Sequence, residues 1–312
     1  MSSAHMAVPR HATVCLHIPD QPALLRVLDG NAGEATLGRD RGNSVAISHL
    51  SVSRRHAAIR RDGSGWWIED LGSTNCVRVG GHTVTWQRLK HGDWFSLGDV
   101  FCEFRLASDA DLQTLLERAQ QRRQASGAWL GRLEQAPDRD ALMANLMTSI
   151  VHLAECRRGF LLTGNLDRGF ATAACFNMQP NEPGSRQFTG STAVIVRAVH
   201  TLAPVLVSDP SALDWARGRP SVVAGGLRAL VALPIMRHET LLGVAYADSD
   251  EPGKVFTELD QEILAAFTEQ AALLLAARGL DESLTQIDSC IEADADGQAL
   301  LSMTAVRWKV QV

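Results

Sequence analysis

The stretch SVSRRHAAI, residues 51–59, runs from a polar loop into the start of a strand. Ala57 and Ile59 are apolar and stand two positions apart, which is the spacing of a strand with one buried face. Before them, Ser53 offers a hydroxyl and Arg54 and Arg55 offer guanidinium groups, which are donors that a phosphate requires. Taken alone, the stretch is also compatible with a solvated surface turn that binds no ligand.

The composition is that of a soluble globular protein with about two domains. Of the 312 residues, 46% are hydrophobic and 21% are charged, and no apolar run reaches the length of a membrane span. The net charge of −5 argues against nucleic acid as a direct partner. The chain starts MSSAHMAVPR without a secretory signal, and residues 1–5 resemble a tag remnant, so we expect a cytoplasmic protein without membrane association.

The sequence contains no motif typical of an enzyme. We find no phosphate loop, no G-x-G-x-x-G, no H-E-x-x-H and no nucleophile elbow, and we therefore predict a protein without catalytic activity. The six cysteines include no C-x-x-C pair, so we predict reduced structural thiols, no metal and no cofactor. These cysteines are Cys15, Cys76, Cys102, Cys156, Cys175 and Cys290.

The hydrophobic period changes from strand-like to helical near residue 108. Between residues 12 and 106, short alternating runs separated by glycine-rich turns predict an all-β sandwich. A linking helix follows, which we expect to fray at Gly127. Strands then return between apolar-striped helices, which predicts an α+β domain. The predicted segments are a tail (1–11), the β-sandwich (12–107), a helical linker (108–137), the α+β domain (138–280) and a second tail (281–312).

Four segments of the β-sandwich stand in the order and spacing of a known signature. They are LGRD (37–40), SVSRRHA (51–57), WWIEDLGSTNC (66–76) and GDWFSLGD (92–99). The region therefore resembles a forkhead-associated (FHA) domain, and the resemblance implies a sandwich of about eleven strands. It also implies a non-catalytic module that binds phosphothreonine in partner proteins.

The resemblance assigns ligand contacts to five residues. Arg39 and Ser53 are expected to contact the phosphate, and Arg54 is expected to support them. Thr74 and Asn75 are expected to bond the peptide backbone beside the phosphothreonine. A guanidinium fork, a hydroxyl and a neighbouring cation are the groups that suit a phosphate with close to two negative charges.

Other positions near the loop are expected to act indirectly. By resemblance, Gly38 and His56 support the binding loop, whereas Arg55 is expected to face solvent. Where the family usually has glycine, this chain has Cys76, and we expect a differently shaped loop because a Cβ disfavours positive φ. In relatives, the residue at the position of Ser51 helps to select the peptide residue at the third position after the phosphothreonine. Ser51 does not indicate which residue is preferred there.

The α+β domain resembles a GAF domain. The segments VLVSD (205–209), GLRALVALPI (226–235), LLGVAYADS (241–249) and FTELDQEILAAFTEQAALLL (256–275) follow the order of that family. The resemblance implies a central antiparallel sheet flanked by helices. Such domains sense a small molecule or mediate dimers, and the fold alone does not name a GAF ligand.

Two residues at the start of the last predicted helix have alternative uses. Phe256 and Asp260 match part of a cyclic-nucleotide motif, but Gln261 stands where that motif has Glu. The same residues fit a helix start, in which Asp260 lies three positions after Thr257 as in a capping box. We favour this structural use and expect no binding of cyclic GMP or cyclic AMP.

Together, these features predict a non-catalytic bacterial signalling adaptor. Its FHA domain is expected to bind a threonine-phosphorylated protein, such as a Ser/Thr kinase or a kinase substrate. Its GAF domain is expected to bind a small molecule or to form a homodimer through helices near 138–156 and 257–280. Two alternatives stay open: the chain is the sensory part of a longer transcription activator or nucleotide cyclase, or its GAF domain is a thiol-dependent methionine sulfoxide reductase.

Overall fold

The predicted tails lie partly outside the described residues. The first tail is outside them up to residue 9, and the second from residue 294 onward. Within the described residues, no helix is both long enough and apolar enough to span a bilayer. The computed structural model of the chain describes residues 10–165, 169–179, 190–208 and 227–293.

The first domain is built from strands joined by short turns. The prediction of a sandwich with about eleven strands is confirmed. The strands are β1 (His11–His17), β2 (Leu24–Asp29), β3 (Glu34–Gly38), β4 (Val45–Ala46), β5 (Ala57–Asp62), β6 (Gly65–Asp70), β7 (Val77–Val79), β8 (His82–Val84), β9 (Trp86–Leu89), β10 (Asp93–Leu97) and β11 (Val100–Ala107).

These strands form two sheets that share one core. One sheet has the order β2-β1-β11-β10-β7-β8, and the other has the order β4-β3-β5-β6-β9. Alternate residues face inward, so Trp66, Phe95 and Phe104 are buried among aliphatic side chains from both sheets. Loops that connect the two sheets therefore collect at the ends of the sandwich.

A long helix leads from the sandwich to the second domain. Helix α1 (Asp109–Glu134) begins after Ser108, whose hydroxyl accepts a hydrogen bond from the Asp111 N–H at 3.2 Å. The fraying expected at Gly127 does not occur, because the helix continues without interruption. Leu133 is buried in the core of the second domain, and this packing outweighs the low helix propensity of glycine.

The second domain is a five-stranded antiparallel sheet with helices on both faces. This arrangement confirms the predicted α+β fold. Its elements are α2 (Arg139–Leu153), β12 (Arg158–Asn165), β13 (Gly169–Phe176), α3 (Thr192–Thr201), β14 (Val205–Val207), β15 (Ala229–Arg237), β16 (Thr240–Ser249) and α4 (Glu258–Ala293).

Both faces of this sheet are covered. The strand order is β13-β12-β16-β15-β14. Val231 and Leu233 of β15 pack with α2 and α4, whereas Leu230 and Ala232 point to the opposite face, where α3 packs. Burial on both faces explains why β15 reads as a continuous apolar run rather than an alternating one.

The two domains touch where β2 and α4 begin. The Ala23 N–H donates to the Phe256 carbonyl at 2.9 Å, and the Glu258 N–H donates to the Ala23 carbonyl at 3.1 Å, which forms a parallel bridge to Thr257. Arg26 of β2 also pairs with Glu258 at 2.6 Å. Main-chain and side-chain contacts thus fix the edge of the sandwich against the start of α4.

Candidate functional site

Three loops meet at one end of the sandwich and carry the residues predicted to bind phosphate. The first loop follows β3, the second precedes β5 and the third follows β6. The Arg39 N–H donates to the Ser53 carbonyl at 2.9 Å, and the Asp40 N–H donates to the Arg54 carbonyl at 3.0 Å. These bonds hold the main chain of the first loop directly beside the second.

Gly38 allows the first two loops to approach each other closely. A Cβ at this position would lie 2.4 Å from the Arg54 carbonyl oxygen and 2.8 Å from Asn43 Nδ2. The Asn43 amide donates to that carbonyl at 2.7 Å. Because only glycine fits this contact, the predicted supporting role of Gly38 has a physical basis.

The second and third loops are joined through side chains. Ser53 Oγ accepts a hydrogen bond from the Thr74 N–H at 3.0 Å and lies 3.4 Å from Thr74 Oγ1. Asn75 Nδ2 donates to the Ser51 carbonyl at 2.8 Å. The structure therefore brings together Ser53, Thr74 and Asn75, although they come from two separate segments of the sequence.

His56 is fully buried beneath these loops. Its Nδ1 accepts a hydrogen bond from the Ser53 N–H at 3.1 Å, and its Nε2 lies 3.3 Å from the Cys76 carbonyl oxygen. Burial lowers the pKa of His56, although the Cys76 carbonyl and Asp70 act in the opposite direction. The ring is therefore neutral at neutral pH, with its proton on Nε2, and one imidazole braces both loops.

The loops expose an uncompensated positive charge. Four arginine side chains stand on them in solvent, and within the residues that the structure describes none is paired with a carboxylate. Several guanidinium groups on neighbouring loops raise the local concentration of anions. Arg55 is exposed as predicted, and so are the others. The four are Arg39, Arg41, Arg54 and Arg55.

Cys76 takes a left-handed backbone conformation with φ of +58°. Cys76 therefore adopts the positive φ that its Cβ disfavours, and the expected avoidance of this turn is not seen. The Asp70 carboxylate accepts hydrogen bonds from the Val77 N–H at 3.1 Å and the Ser73 N–H at 2.8 Å, on either side of Cys76. Together with the contact of His56 to the Cys76 carbonyl, these bonds impose the turn that glycine would adopt freely.

We expect Cys76→Gly to raise the free energy of unfolding of the first domain by about 0.5–1 kcal/mol. A left-handed conformation costs a non-glycine residue about 1–2 kcal/mol, and the larger unfolded-state entropy of glycine cancels part of the gain. Urea denaturation measures the change. Cys76→Ala retains a Cβ and should show no gain, so an equal gain in both variants would mean that the thiol is responsible rather than φ.

Two residues that hold the loops were not identified from the sequence. Asp70 stands three positions before Ser73 with a glycine between them, and this turn signal was available in the sequence. Asn43 bonds to the Arg54 carbonyl eleven positions away, and no local pattern indicates such a contact.

In the second domain, Asp260 caps the start of α4 and Phe256 lies in the core just before it. Phe256 is fully buried, and the Asp260 carboxylate accepts hydrogen bonds from the N–H and the hydroxyl of Thr257, both at 2.6 Å. Its other oxygen lies 2.7 Å from Arg122 Nη2, an ion pair without aligned hydrogen-bond geometry. The predicted structural use of both residues is confirmed.

Two family models match the chain. The model of the FHA domain matches residues 35–98, and the model of the GAF domain matches residues 138–275. A curated relative, an oxoglutarate dehydrogenase inhibitor from Corynebacterium jeikeium (strain K411), is 34% identical over 98 residues. That match spans 28% of this chain and 65% of the relative.

Solved structures resemble each domain separately. The FhaA FHA domain, complexed with the intracellular domain of Rv3910, is 31% identical with a TM-score of 0.28, over 30% of this chain and 99% of that one. The GAF domain from a phosphoenolpyruvate-protein phosphotransferase of Coxiella burnetii is 14% identical with a TM-score of 0.44, over 53% of this chain and 98% of that one. From the two family matches, the chain carries an FHA domain followed by a GAF domain.

Proposed function

We propose that the chain is a non-catalytic signalling adaptor whose FHA domain binds a phosphothreonine segment of a partner protein. The observation that carries this proposal is the group of exposed, unpaired arginines on the same three loops as the hydroxyls of Ser53 and Thr74. A phosphothreonine has close to two negative charges and several acceptor oxygens, and this cluster offers cations and donors but no competing carboxylate partner.

Each predicted residue has a distinct part in the proposal. Arg39 and Ser53 contact the phosphate, Arg54 adds positive charge, and Thr74 and Asn75 bond the peptide backbone. Two further residues hold the loops without touching the ligand, and these are Gly38 and His56.

The curated relative favours a role in binding proteins, since its name describes an inhibitor of an enzyme. We place the chain in regulation by Ser/Thr kinases, because a phosphothreonine reader needs a kinase to create its ligand. The partner is then a phosphorylated kinase or one of its substrates.

Fluorescence anisotropy with a phosphothreonine peptide library tests the proposal on the full chain. We expect the phosphothreonine peptides to bind, and the unphosphorylated and phosphoserine versions to bind much more weakly. By resemblance to the FHA family, the threonine methyl group packs in a small recess that serine leaves empty. Equal binding of all three versions would refute phosphothreonine recognition.

For the GAF domain, the structure favours a structural role over ligand sensing. Between the sheet and α3, Phe160 and Tyr246 are fully buried and stacked with ring centres 5.1 Å apart, so side chains fill this space. Burial raises the pKa of Cys156 to about 12, which keeps its thiol protonated and argues against a thiol-dependent reductase.

We also propose that the chain is a homodimer through helical surface of the GAF side. The large apolar residues of α2 are covered within the domain, whereas Leu116 of α1 is 67% exposed and Leu273 of α4 is 52% exposed. The contact is therefore expected on α1 and α4. Sedimentation at tens of micromolar measures the oligomeric state, and a monomer there would remove the proposal.

A further inference from the structure

A cleft of about 220 Å³ opens between the FHA sandwich and the edge of the GAF sheet. One wall is the segment at residues 17–23 together with Asp99 and Phe101, and the other wall is Leu206–Ser208 at the end of β14. Both domains are therefore needed to form it. The main-chain bridge at Ala23 fixes the two walls relative to each other.

Asp99, which lines the cleft, connects it to the loops of the candidate phosphothreonine site. The Asp99 N–H donates to Ser51 Oγ at 2.9 Å, and the carbonyl of that serine accepts from Asn75 Nδ2 at 2.8 Å. Gly98 has φ of +61°, and a Cβ on it would lie 2.6 Å from the Ser51 carbonyl oxygen. The turn that carries Asp99 is thus packed directly on the loop that carries Ser53.

Exposed aromatic side chains border the cleft. Phe101 is 57% exposed, and Trp94 is 47% exposed and stacks on His17 with ring centres 5.3 Å apart. Large aromatic side chains that stand in solvent beside a binding site are common anchors for a protein partner. They offer apolar surface to a chain that passes from the phosphate loops into the cleft.

The charges of the cleft favour a cation. Asp20 pairs with Arg197 of the GAF domain at 3.7 Å, whereas Asp99 brings a second carboxylate to the wall of the cleft. Burial lowers the pKa of His17, so its ring adds no positive charge at neutral pH. The phosphate loops are thus basic, whereas the adjoining cleft is acidic.

We propose that this cleft binds a second part of the same phosphorylated partner, the residues that flank the phosphothreonine on the Ser51 side. An apolar side chain of the partner packs on Phe101, and a lysine or arginine lies beside Asp99. The inference rests on the proposed phosphothreonine recognition. It assigns to the GAF domain, through β14, a direct part in the choice of partner.

Two phosphothreonine peptide libraries test this on the full chain. The short library is varied only next to the phosphothreonine, and the extended one adds about eight residues on each side, which reach about 26 Å when extended. We expect extension on one side of the phosphothreonine, but not on the other, to tighten binding about tenfold relative to the short library. On that side, the tightest peptides should be enriched in apolar and basic residues. Phe101→Ala should remove this gain, and Asp99→Asn should remove the preference for basic residues, while both variants bind the short library unchanged.

Trp86→Ala is the matched control, because Trp86 is an exposed aromatic on β9 of the other sheet. It should bind both libraries as the wild type does. Equal affinity for the two libraries, or a gain that survives Phe101→Ala, would overturn the cleft proposal while phosphothreonine recognition stands. Failure of the short library to bind better than its unphosphorylated form would instead refute the proposed function itself.

Discussion

Arg39→Ala and Ser53→Ala are each expected to weaken phosphothreonine-peptide binding by about one to two powers of ten. A hydrogen bond to a charged group contributes roughly 1.5–3 kcal/mol, and about 1.4 kcal/mol corresponds to tenfold in affinity. The main chain of Arg39 bonds to that of Ser53 at 2.9 Å, and in the proposed function both side chains contact the same phosphate. Loss of the serine hydroxyl also removes the acceptor of the Thr74 N–H.

Arg55→Ala is the matched control for these two variants. Arg55 is exposed on the same loop and carries the same charge, but it follows the residues that bond to the first loop. Its loss should weaken binding only slightly, and this effect should disappear at high salt, where exposed charges are screened. Anisotropy at two salt concentrations measures all three variants. If Arg39→Ala binds as tightly as the wild type, the loop is a solvated turn and the phosphate contact assigned to Arg39 is wrong.

Much of the FHA site could be predicted because its signals are local. The glycine, serine and histidine of the three loops stand at characteristic spacings next to alternating strands, and the sandwich positions them as the pattern indicates. The brace from His56 follows from its place at the start of β5, where its side chain turns inward under the Ser53 loop.

Contacts between distant segments could not be predicted in this way. Arg26 and Glu258 are 232 positions apart, and neither residue type indicates the other, so the junction between the domains appears only in the fold. The cleft beside β14 depends on that junction. For this reason, the sequence pattern alone does not indicate that the GAF domain takes part in the choice of partner.

Local propensity also failed where tertiary packing decides the outcome. Glycine at position 127 predicts fraying of α1, yet the helix continues, because Leu133 in its last turn is buried in the GAF core. At Cys76 the side chain predicts negative φ, yet the hydrogen bonds that Asp70 accepts from Ser73 and Val77, on either side of Cys76, impose the opposite. In both cases several tertiary contacts outweigh one local preference of about 1 kcal/mol.

The GAF core contains a buried ion pair whose loss should have the largest effect on stability. Arg158 Nε lies 2.7 Å from Asp248 Oδ1, and Arg158 Nη2 donates to Asp248 Oδ2 at 3.2 Å. The Asp248 side chain is 2% exposed, and the buried hydroxyl of Tyr246 also bonds to it. A carboxylate in this position is stabilised only while its partners remain, since water cannot reach it.

Arg158→Met is therefore expected to lower the free energy of unfolding of the GAF domain by about 3 kcal/mol, the usual cost of removing one partner of a buried ion pair. Arg157→Met is the control, because Arg157 is the neighbouring residue and pairs with Glu251 on the surface, where both side chains are more than half exposed. Its unfolding midpoint should not change, because solvent already screens that pair. Urea denaturation followed by circular dichroism compares the two. Equal midpoints for Arg158→Met and Arg157→Met would show that Asp248 finds water or another donor once its arginine is gone, and that the pair does not stabilise the core.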